Sequence, residues 1–142
     1  MKRFAFRLET LRRLRVQVRR EAEIELGKMT ALCHRITTIM QRTQAEIQKG
    51  HQTHDPAWIN QEQAYLSRQR GFLEQLASEL LDARREEANW RQKLSYAQQQ
   101  EEVLDNLRET HWQRWRKAVL KEEQKILDDL PASRGQKKLK KA

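Results

Sequence analysis

The chain has 142 residues, of which 37% are hydrophobic and 35% are charged, and its formal net charge is +9. This length fits one domain, while the low apolar content is thin for a compact core and normal for a two-stranded coiled coil. Four glycines, two prolines and the lack of alternating β-branched runs disfavour a β-sandwich or barrel.

The cysteine content and the hydropathy pattern indicate a compartment. Cys33 is the single cysteine, so no disulfide can form within the chain, and a reducing environment is the simple interpretation. No apolar run approaches the ~20 residues that span a bilayer, and the N-terminus lacks the apolar segment of a signal peptide. The sequence therefore predicts a cytoplasmic protein.

A first helix is predicted from about residue 6 to residue 49. Apolar residues recur there at steps of three and four, which is the helical period and nearly the heptad period. The predicted stripe consists of Leu8, Leu11, Leu14, Val18, Ala22, Leu26, Met29, Leu32, Cys33, Ile36, Ile39, Met40 and Ile47.

The same helix begins with a strong excess of positive charge. Residues 1–20 carry eight Lys or Arg against Glu9 alone, whereas the middle of the chain mixes both signs. One interpretation is a solvated helix face, and the other is a surface for an acidic protein or a nucleic acid.

Residues 50–55 are predicted to be the internal loop. Gly50 suits the end of a helix, Asp55 suits an N-cap, and Pro56 suits the first helical position. A connection this short predicts that the two helices run antiparallel. His51 and His54 are expected to be solvated rather than metal ligands, because no further ligands are at hand.

The second helix is predicted from about residue 56 to residue 130. Between Pro56 and Pro131 lie 74 residues with Gly71 as the only glycine, and one helix of that length would reach roughly 110 Å. Its predicted seam consists of Ile59, Leu66, Leu73, Leu76, Leu80, Ala83, Trp90, Leu94, Ala97 and Leu104, with polar seam positions at Glu87, Glu101 and Arg108.

The predicted pairing leaves part of the second helix without a partner. If Lys49 faces Ala57, the numbers of opposed residues add to about 106, so Leu8 lies near Gln98. The second helix then has no partner within the chain beyond about residue 103. That predicted overhang carries several apolar residues and two tryptophans, and it is expected to bind another protein.

The predicted fold class is all-α, a long antiparallel two-helix coiled coil whose second helix is much longer than the first. This hairpin covers residues 1–133, and the basic tail at 134–142 is predicted to be disordered.

Seven-residue spacing places Trp58, Tyr65 and Phe72 on one line of the second helix, each one position before a seam residue. Two interpretations stay open. The aromatic rings either widen the core of the hairpin or form a partly exposed stripe that anchors a partner.

The sequence carries no pattern that indicates catalysis. A phosphate-cradling Gly-rich loop, a serine elbow and a carboxylate constellation are all lacking. Cys33 and His34 are neighbours in a helix and point in different directions, so they form no ready nucleophile pair. We therefore predict neither an enzyme nor a cofactor or metal site.

Five segments together resemble the FliJ family of flagellar export proteins, and the resemblance covers nearly the whole chain. The matching segments are FAFRLETLRRLR at 4–15, REAEIELGK at 20–28, WIN at 58–60, AYL at 64–66 and KEEQKILDDL at 121–130.

The resemblance implies a fold, a function and a set of partners. FliJ proteins are antiparallel two-helix coiled coils similar to the stalk subunit of rotary ATPases. They sit in the pore of the hexameric export ATPase FliI, which has FliH as its regulator, and reach towards the export gate protein FlhA. They couple ATP hydrolysis to export and escort export chaperones. The resemblance implies peripheral association with the cytoplasmic face of the inner membrane through this apparatus. It does not imply a nucleic acid as a partner.

The resemblance also assigns candidate contacts. The hairpin end would face the gate, and the candidates there are Trp58, Tyr65, Leu66 and Phe72. The end that holds both termini would enter the ATPase ring, and the candidates there are Arg12, Arg13, Arg19, Arg20, Trp112 and Trp115. Two alternatives remain: the equivalent stalk protein of a virulence type III secretion system, and a basic coiled coil that binds nucleic acid.

Overall fold

The structure is a computed structural model that describes residues 3–50 and 56–141, with side chains for 3–50 and 56–130. Helix α1 spans Glu9–Gly50, a short 3-10 turn spans Pro56–Trp58, and helix α2 spans Ile59–Lys141. No strand occurs in these described ranges. The prediction of an all-α antiparallel hairpin is confirmed, and α2, with 83 residues against 42, is the longer helix.

Both helices begin later than the sequence indicated. The Glu9 N–H donates to the Phe6 carbonyl at 3.1 Å, which closes a turn before α1 starts. Residues 3–6 are not helical. Similarly, Pro56 opens the tighter 3-10 turn rather than α2 itself. The predicted loop residues His51, His54 and Asp55 lie outside the described part of the chain.

Helix α2 continues past Pro131 to Lys141, whereas the sequence predicted its end at about residue 130. The backbone of residues 134–141 is assigned to this helix, and disorder of the 134–142 tail stays a prediction.

The chain divides into two compact units, and both helices contribute to each. The terminal unit comprises residues 1–16 and 99–142, and the middle unit comprises residues 17–98. In the middle unit, the core consists of Cys33, Ile36, Leu76 and Ala83, with Leu32, Met40 and Leu80 packed against it. Each of these residues belongs to one of the predicted stripes, so the sequence located this core correctly.

Cys33 and Thr43 are polar groups within the buried face of α1. Burial raises the pKa of the Cys33 thiol, and the neighbouring Glu87 carboxylate raises it further. The Thr43 hydroxyl donates to the Ile39 carbonyl of the same helix at 2.8 Å, which satisfies it without a partner on α2. The free thiol is therefore a protonated core group rather than a reactive one.

In the terminal unit the pairing differs from the predicted one. Arg12 contacts Asp105, Glu9 contacts Arg108, and the Phe6 ring packs on His111. The numbers of each of these pairs add to 117, not about 106, so α2 has a partner well beyond residue 103. The loop-based prediction was wrong because it fixed the register from an assumed tight turn at Lys49 and Ala57.

The predicted apolar stripe is also wrong at the start of α1. Leu8, Leu11, Leu14 and Val18 are exposed, although they were predicted to face α2. The heptad that leads back from the buried Ala22 instead passes through arginine positions, namely Arg19, Arg15 and Arg12, which are half-buried. The seam is therefore apolar in the core of the middle unit and charged at the beginning of α1.

Candidate interaction surfaces

The aromatic line is exposed in the middle unit, where Trp58 ends the 3-10 turn and Tyr65 and Phe72 lie on α2. Trp58 has 58% of its surface exposed, and Tyr65 and Phe72 are exposed as well. Leu66, the fourth candidate from the sequence, is 8% exposed and belongs to the buried seam. Of the two interpretations, a surface stripe fits these exposures better than a widened core. Leu66 therefore offers little surface to a partner.

A groove runs beside this stripe, and its described lining comes from one face of α2. It has a volume of about 900 Å³, and its lining residues are Ile59, Glu62, Gln63, Leu66, Ser67, Arg70, Gly71 and Glu74. Gly71, the single glycine between Pro56 and Pro131, lies within an uninterrupted helix. A Cβ added there would meet nothing within 4 Å. The glycine is therefore not required by a close approach of another group.

Charged side chains join the two helices in the terminal unit. Arg12 Nε donates to Asp105 Oδ1 at 2.7 Å, and Arg12 Nη1 donates to Glu9 Oε1 at 3.1 Å. Glu9 Oε2 also faces Arg108 Nε at 3.5 Å, where both atoms are buried without forming a hydrogen bond. The hydrogen bond to Asp105 raises the pKa of Arg12 further above its usual value. These four residues form one ion-pair network.

Aromatic contacts extend the pairing beyond the N-terminus of α1. The Phe6 ring is buried and meets the His111 ring edge-on with centroids 5.5 Å apart. The Phe4 ring lies 5.9 Å from the Trp115 ring, and the Arg108 guanidinium lies 5.7 Å from the Phe4 centroid. The short segment before α1 is thereby fixed on α2, which the sequence reasoning missed.

These contacts involve several of the residues that the family resemblance assigns to the ATPase ring. Arg12 takes part in the ion-pair network and Trp115 packs on Phe4. Arg19 pairs with Glu23 at 2.8 Å. The Arg13 side chain is 79% exposed, and its Nε atom lies 3.6 Å from Glu9 Oε1. Arg13 therefore remains largely open to solvent.

Arg20 and Trp112 complete the set. Arg20 is exposed on α1 of the middle unit, whereas Trp112 is half-buried in the terminal unit. The Arg116 guanidinium lies 5.4 Å from the Trp112 ring. Arg20 thus presents its charge to solvent, while Trp112 has one face covered by a cation.

The described part of the chain has neither a candidate metal site nor a candidate membrane-spanning stretch. No group of three or more His, Cys, Asp or Glu residues there could hold a metal ion. Over the same residues, neither helix has a stretch that is both long and apolar enough to cross a bilayer. The surfaces identified above are suited to contacts with other molecules.

The fold and these surfaces define a class: an α-helical hairpin protein with exposed aromatic side chains in the middle unit and with an ion-pair network and packed aromatic rings in the terminal unit. A family model described as "Flagellar FliJ protein" matches residues 4–140. The chain belongs to the FliJ family. This is a family of non-catalytic stalk and chaperone-escort proteins of flagellar protein export. Neither a curated protein nor a solved structure matches the chain significantly.

Proposed function

We propose that the chain is a stalk of the flagellar export ATPase that links the ATPase ring to the export gate and escorts export chaperones. The match over nearly the whole chain is the observation that carries this proposal, because it includes both helices and the connection between them. The description of that family as flagellar favours this apparatus over a virulence secretion system, and over a nucleic-acid-binding coiled coil.

The ring-binding part of the proposal assigns the contact to the terminal unit and the start of α1. An acidic pore lining would be attracted by the excess of arginines there. Of the four candidates Arg12, Arg13, Arg19 and Arg20, Arg13 and Arg20 are exposed. Arg12 has a different proposed role, since its bonds to Asp105 and Glu9 hold α1 against α2.

The gate-binding part of the proposal assigns the contact to Trp58, Tyr65 and Phe72. Exposed aromatic side chains are enriched at binding hot spots, since they bury a large apolar area with few rotatable bonds. Arg68 and Arg70 are exposed nearby and would give the stripe a charged rim. The export gate protein is the partner proposed for this surface.

Stimulation of the cognate export ATPase tests the proposed function. Purified chain should raise the rate of ATP hydrolysis at substoichiometric amounts, because one stalk serves a ring of several subunits. The variant Arg13→Glu with Arg20→Glu should lose most of this stimulation. A matched control, Arg35→Glu with Arg85→Glu, changes the total charge equally at exposed positions of the middle unit and should retain it.

Two results would count against the proposal. One is a rate of hydrolysis that the wild-type chain does not change at any ratio to the ATPase. The other is equal loss of stimulation in both charge variants, which would mean that net charge rather than a ring-binding surface is responsible.

A further inference from the structure

In the terminal unit, the ion-pair network lies on one flank of the helix pair. Arg12 and Arg108 occupy the seam, and each contacts an acid that lies on the same side. In each helix this acid, Glu9 or Asp105, stands three residues before the seam arginine. Three residues back correspond to a rotation of about 60° around a helix, so both acids lie next to the seam on a shared flank.

The opposite flank is apolar in both helices. Leu11 and Leu107 stand one residue before the seam arginines, a rotation of about 100° the other way. One turn further along the same side are Leu14 in α1 and Val103 in α2. We call these four residues the leucine–valine face: Leu11, Leu14, Val103 and Leu107.

This face is largely open to solvent. Val103 has 62% of its surface exposed and Leu14 has 55%, while Leu11 is exposed and Leu107 is half-buried. Both helices contribute to it at matching levels, because the pairing of this unit sets residue 14 opposite residue 103. An open apolar face on both helices of one pair offers a groove along which a third helix can pack.

The charge along this flank has one sign. Read at steps of three and four, the α2 positions are Gln100, Val103, Leu107, Thr110, Arg114, Lys117 and Lys121. The three basic residues are exposed, and the series contains no acid. Glu102 and Glu109 lie on the outer side of α2 instead. An apolar strip that continues into a row of cations is complementary to a helix face whose apolar residues continue into carboxylates.

We propose that the leucine–valine face is a docking surface for an acidic amphipathic helix of a protein partner. The apolar residues of the partner's helix would insert between Leu11 and Leu107. The carboxylates of that helix would pair with Arg114, Lys117 and Lys121. Helix-in-groove binding uses this combination of apolar anchors and charged borders. Phosphate groups of a nucleic acid would pair with the cations but leave the leucines exposed.

The proposal goes beyond the stalk function, because it uses neither Arg13 nor Arg20 and requires no ATPase. Its test and the ATPase test therefore fail independently. A fluorescein-labelled peptide of about 18 residues, five helical turns, serves as the probe. One face of this peptide carries leucines in the half that would meet the leucine–valine face and glutamates in the half that would meet Arg114, Lys117 and Lys121. A second peptide has lysine at every glutamate position.

The measurement is fluorescence anisotropy of each peptide titrated with the full-length chain. The Leu/Glu peptide should bind the wild-type chain with a micromolar Kd, and the Leu/Lys peptide should not. Leu11→Gln with Leu14→Gln should raise the Kd at least about tenfold, or ~1.4 kcal/mol. The control Ile24→Gln with Leu81→Gln, which removes two exposed apolar side chains elsewhere, should leave it unchanged.

A second variant tests the charge complementarity separately. Arg114→Glu with Lys117→Glu should weaken binding by a similar factor, whereas Arg35→Glu with Arg85→Glu should change it little. Circular dichroism of every variant should match the wild type, since glutamine and glutamate are good helix formers at exposed positions.

Three outcomes would overturn the proposal. The first is no binding of the Leu/Glu peptide at about 100 µM chain, where a micromolar site would be saturated. The second is equal weakening by the face variant and its control. The third is sedimentation with phosphatidylglycerol vesicles that depends on Leu11 and Leu14 while the peptide does not bind, which would identify a membrane surface instead.

Discussion

Replacing Arg12 and Asp105 by alanine, singly and together, measures whether this pair joins α1 to α2. Arg12 Nε lies 2.7 Å from Asp105 Oδ1, and Arg12 also donates to Glu9 at 3.1 Å. Arg12→Ala removes both contacts and leaves two carboxylates without their shared cation. It should therefore destabilise the protein more than Asp105→Ala does.

The expected coupling energy is about 1 kcal/mol. A hydrogen bond to a charged group contributes about 1.5–3 kcal/mol when it is well buried, and an exposed ion pair about 0.2–1 kcal/mol. The side chains of Arg12 and Asp105 are 30% and 43% exposed, so solvent screening places this pair near the lower range. Single replacement of Arg12 should cost about 1–2 kcal/mol.

Urea unfolding followed by circular dichroism at 222 nm gives these energies. With a slope of about 1–3 kcal/mol per molar urea, a loss of 1 kcal/mol lowers the midpoint by roughly 0.3–1 M. The control cycle uses Lys28 and Glu25, which pair within α1 at 3.1 Å and should couple by about 0.5 kcal/mol or less.

A coupling energy near zero for Arg12 and Asp105 would refute the pairing described for the terminal unit. That result is what the alternative register predicts, because opposed numbers that add to about 106 would set Arg12 near Leu94.

Three further predictions concern the middle unit. Leu76→Ala should cost about 2–5 kcal/mol in urea unfolding because Leu76 is buried in the core, whereas Leu81→Ala, at an exposed position, should cost under about 0.5 kcal/mol; equal losses would contradict the assigned core. Cys33 should react with iodoacetamide at pH 8 at least about 100-fold more slowly in the folded protein than in urea, because its thiol is buried and protonated. A reaction rate like that of a free thiol would contradict this burial. Tyr65→Ala with Phe72→Ala should leave helicity intact and abolish binding to the cytoplasmic domain of the gate protein in a pull-down; loss of helicity would instead place both rings in the core.

The seam of α2 could be read from the sequence because apolar residues occupy most of it. Leu66, Leu76, Ala83, Ala97 and Leu104 are buried as predicted. Only the first predicted member of the series, Ile59, is exposed. A continuous heptad of apolar residues leaves few alternative faces for a helix, so the pattern alone determines which side is buried.

The start of α1 could not be read in the same way. Leucines there lie beside the seam, and arginines occupy the seam itself. A helix-period pattern identifies an apolar face but does not state which partner covers it. The heptad traced backward from Ala22 through Arg19 to Arg12 was the signal that could have corrected the prediction. The arginines of this heptad, together with Asp105 on α2, indicate that the seam at the start of α1 is ionic rather than apolar.

The register and the candidate contacts were beyond the reach of composition and spacing. Loop length limits how far two helices can slide along each other, but it does not select one pairing. The ion pairs and the Phe6–His111 contact select the pairing in the terminal unit. For the same reason, Trp115 was predicted to be unpartnered, although Phe4 covers part of it. Sequence reasoning identified the family and the line of three aromatic residues, which depend on local motifs rather than on register, but it left open whether these rings are exposed.

Simultaneous binding to two partners tests the central proposal most directly. The cognate export ATPase, the cytoplasmic domain of the gate protein and the full-length chain can be mixed and analysed by mass photometry. We expect a ternary species that contains the ATPase ring, the chain and the gate domain, and that is lost with Tyr65→Ala and Phe72→Ala while the ATPase–chain complex persists. Displacement of the chain from the ATPase by saturating gate domain would show that the two contacts exclude each other, and would contradict the account of a stalk that links both.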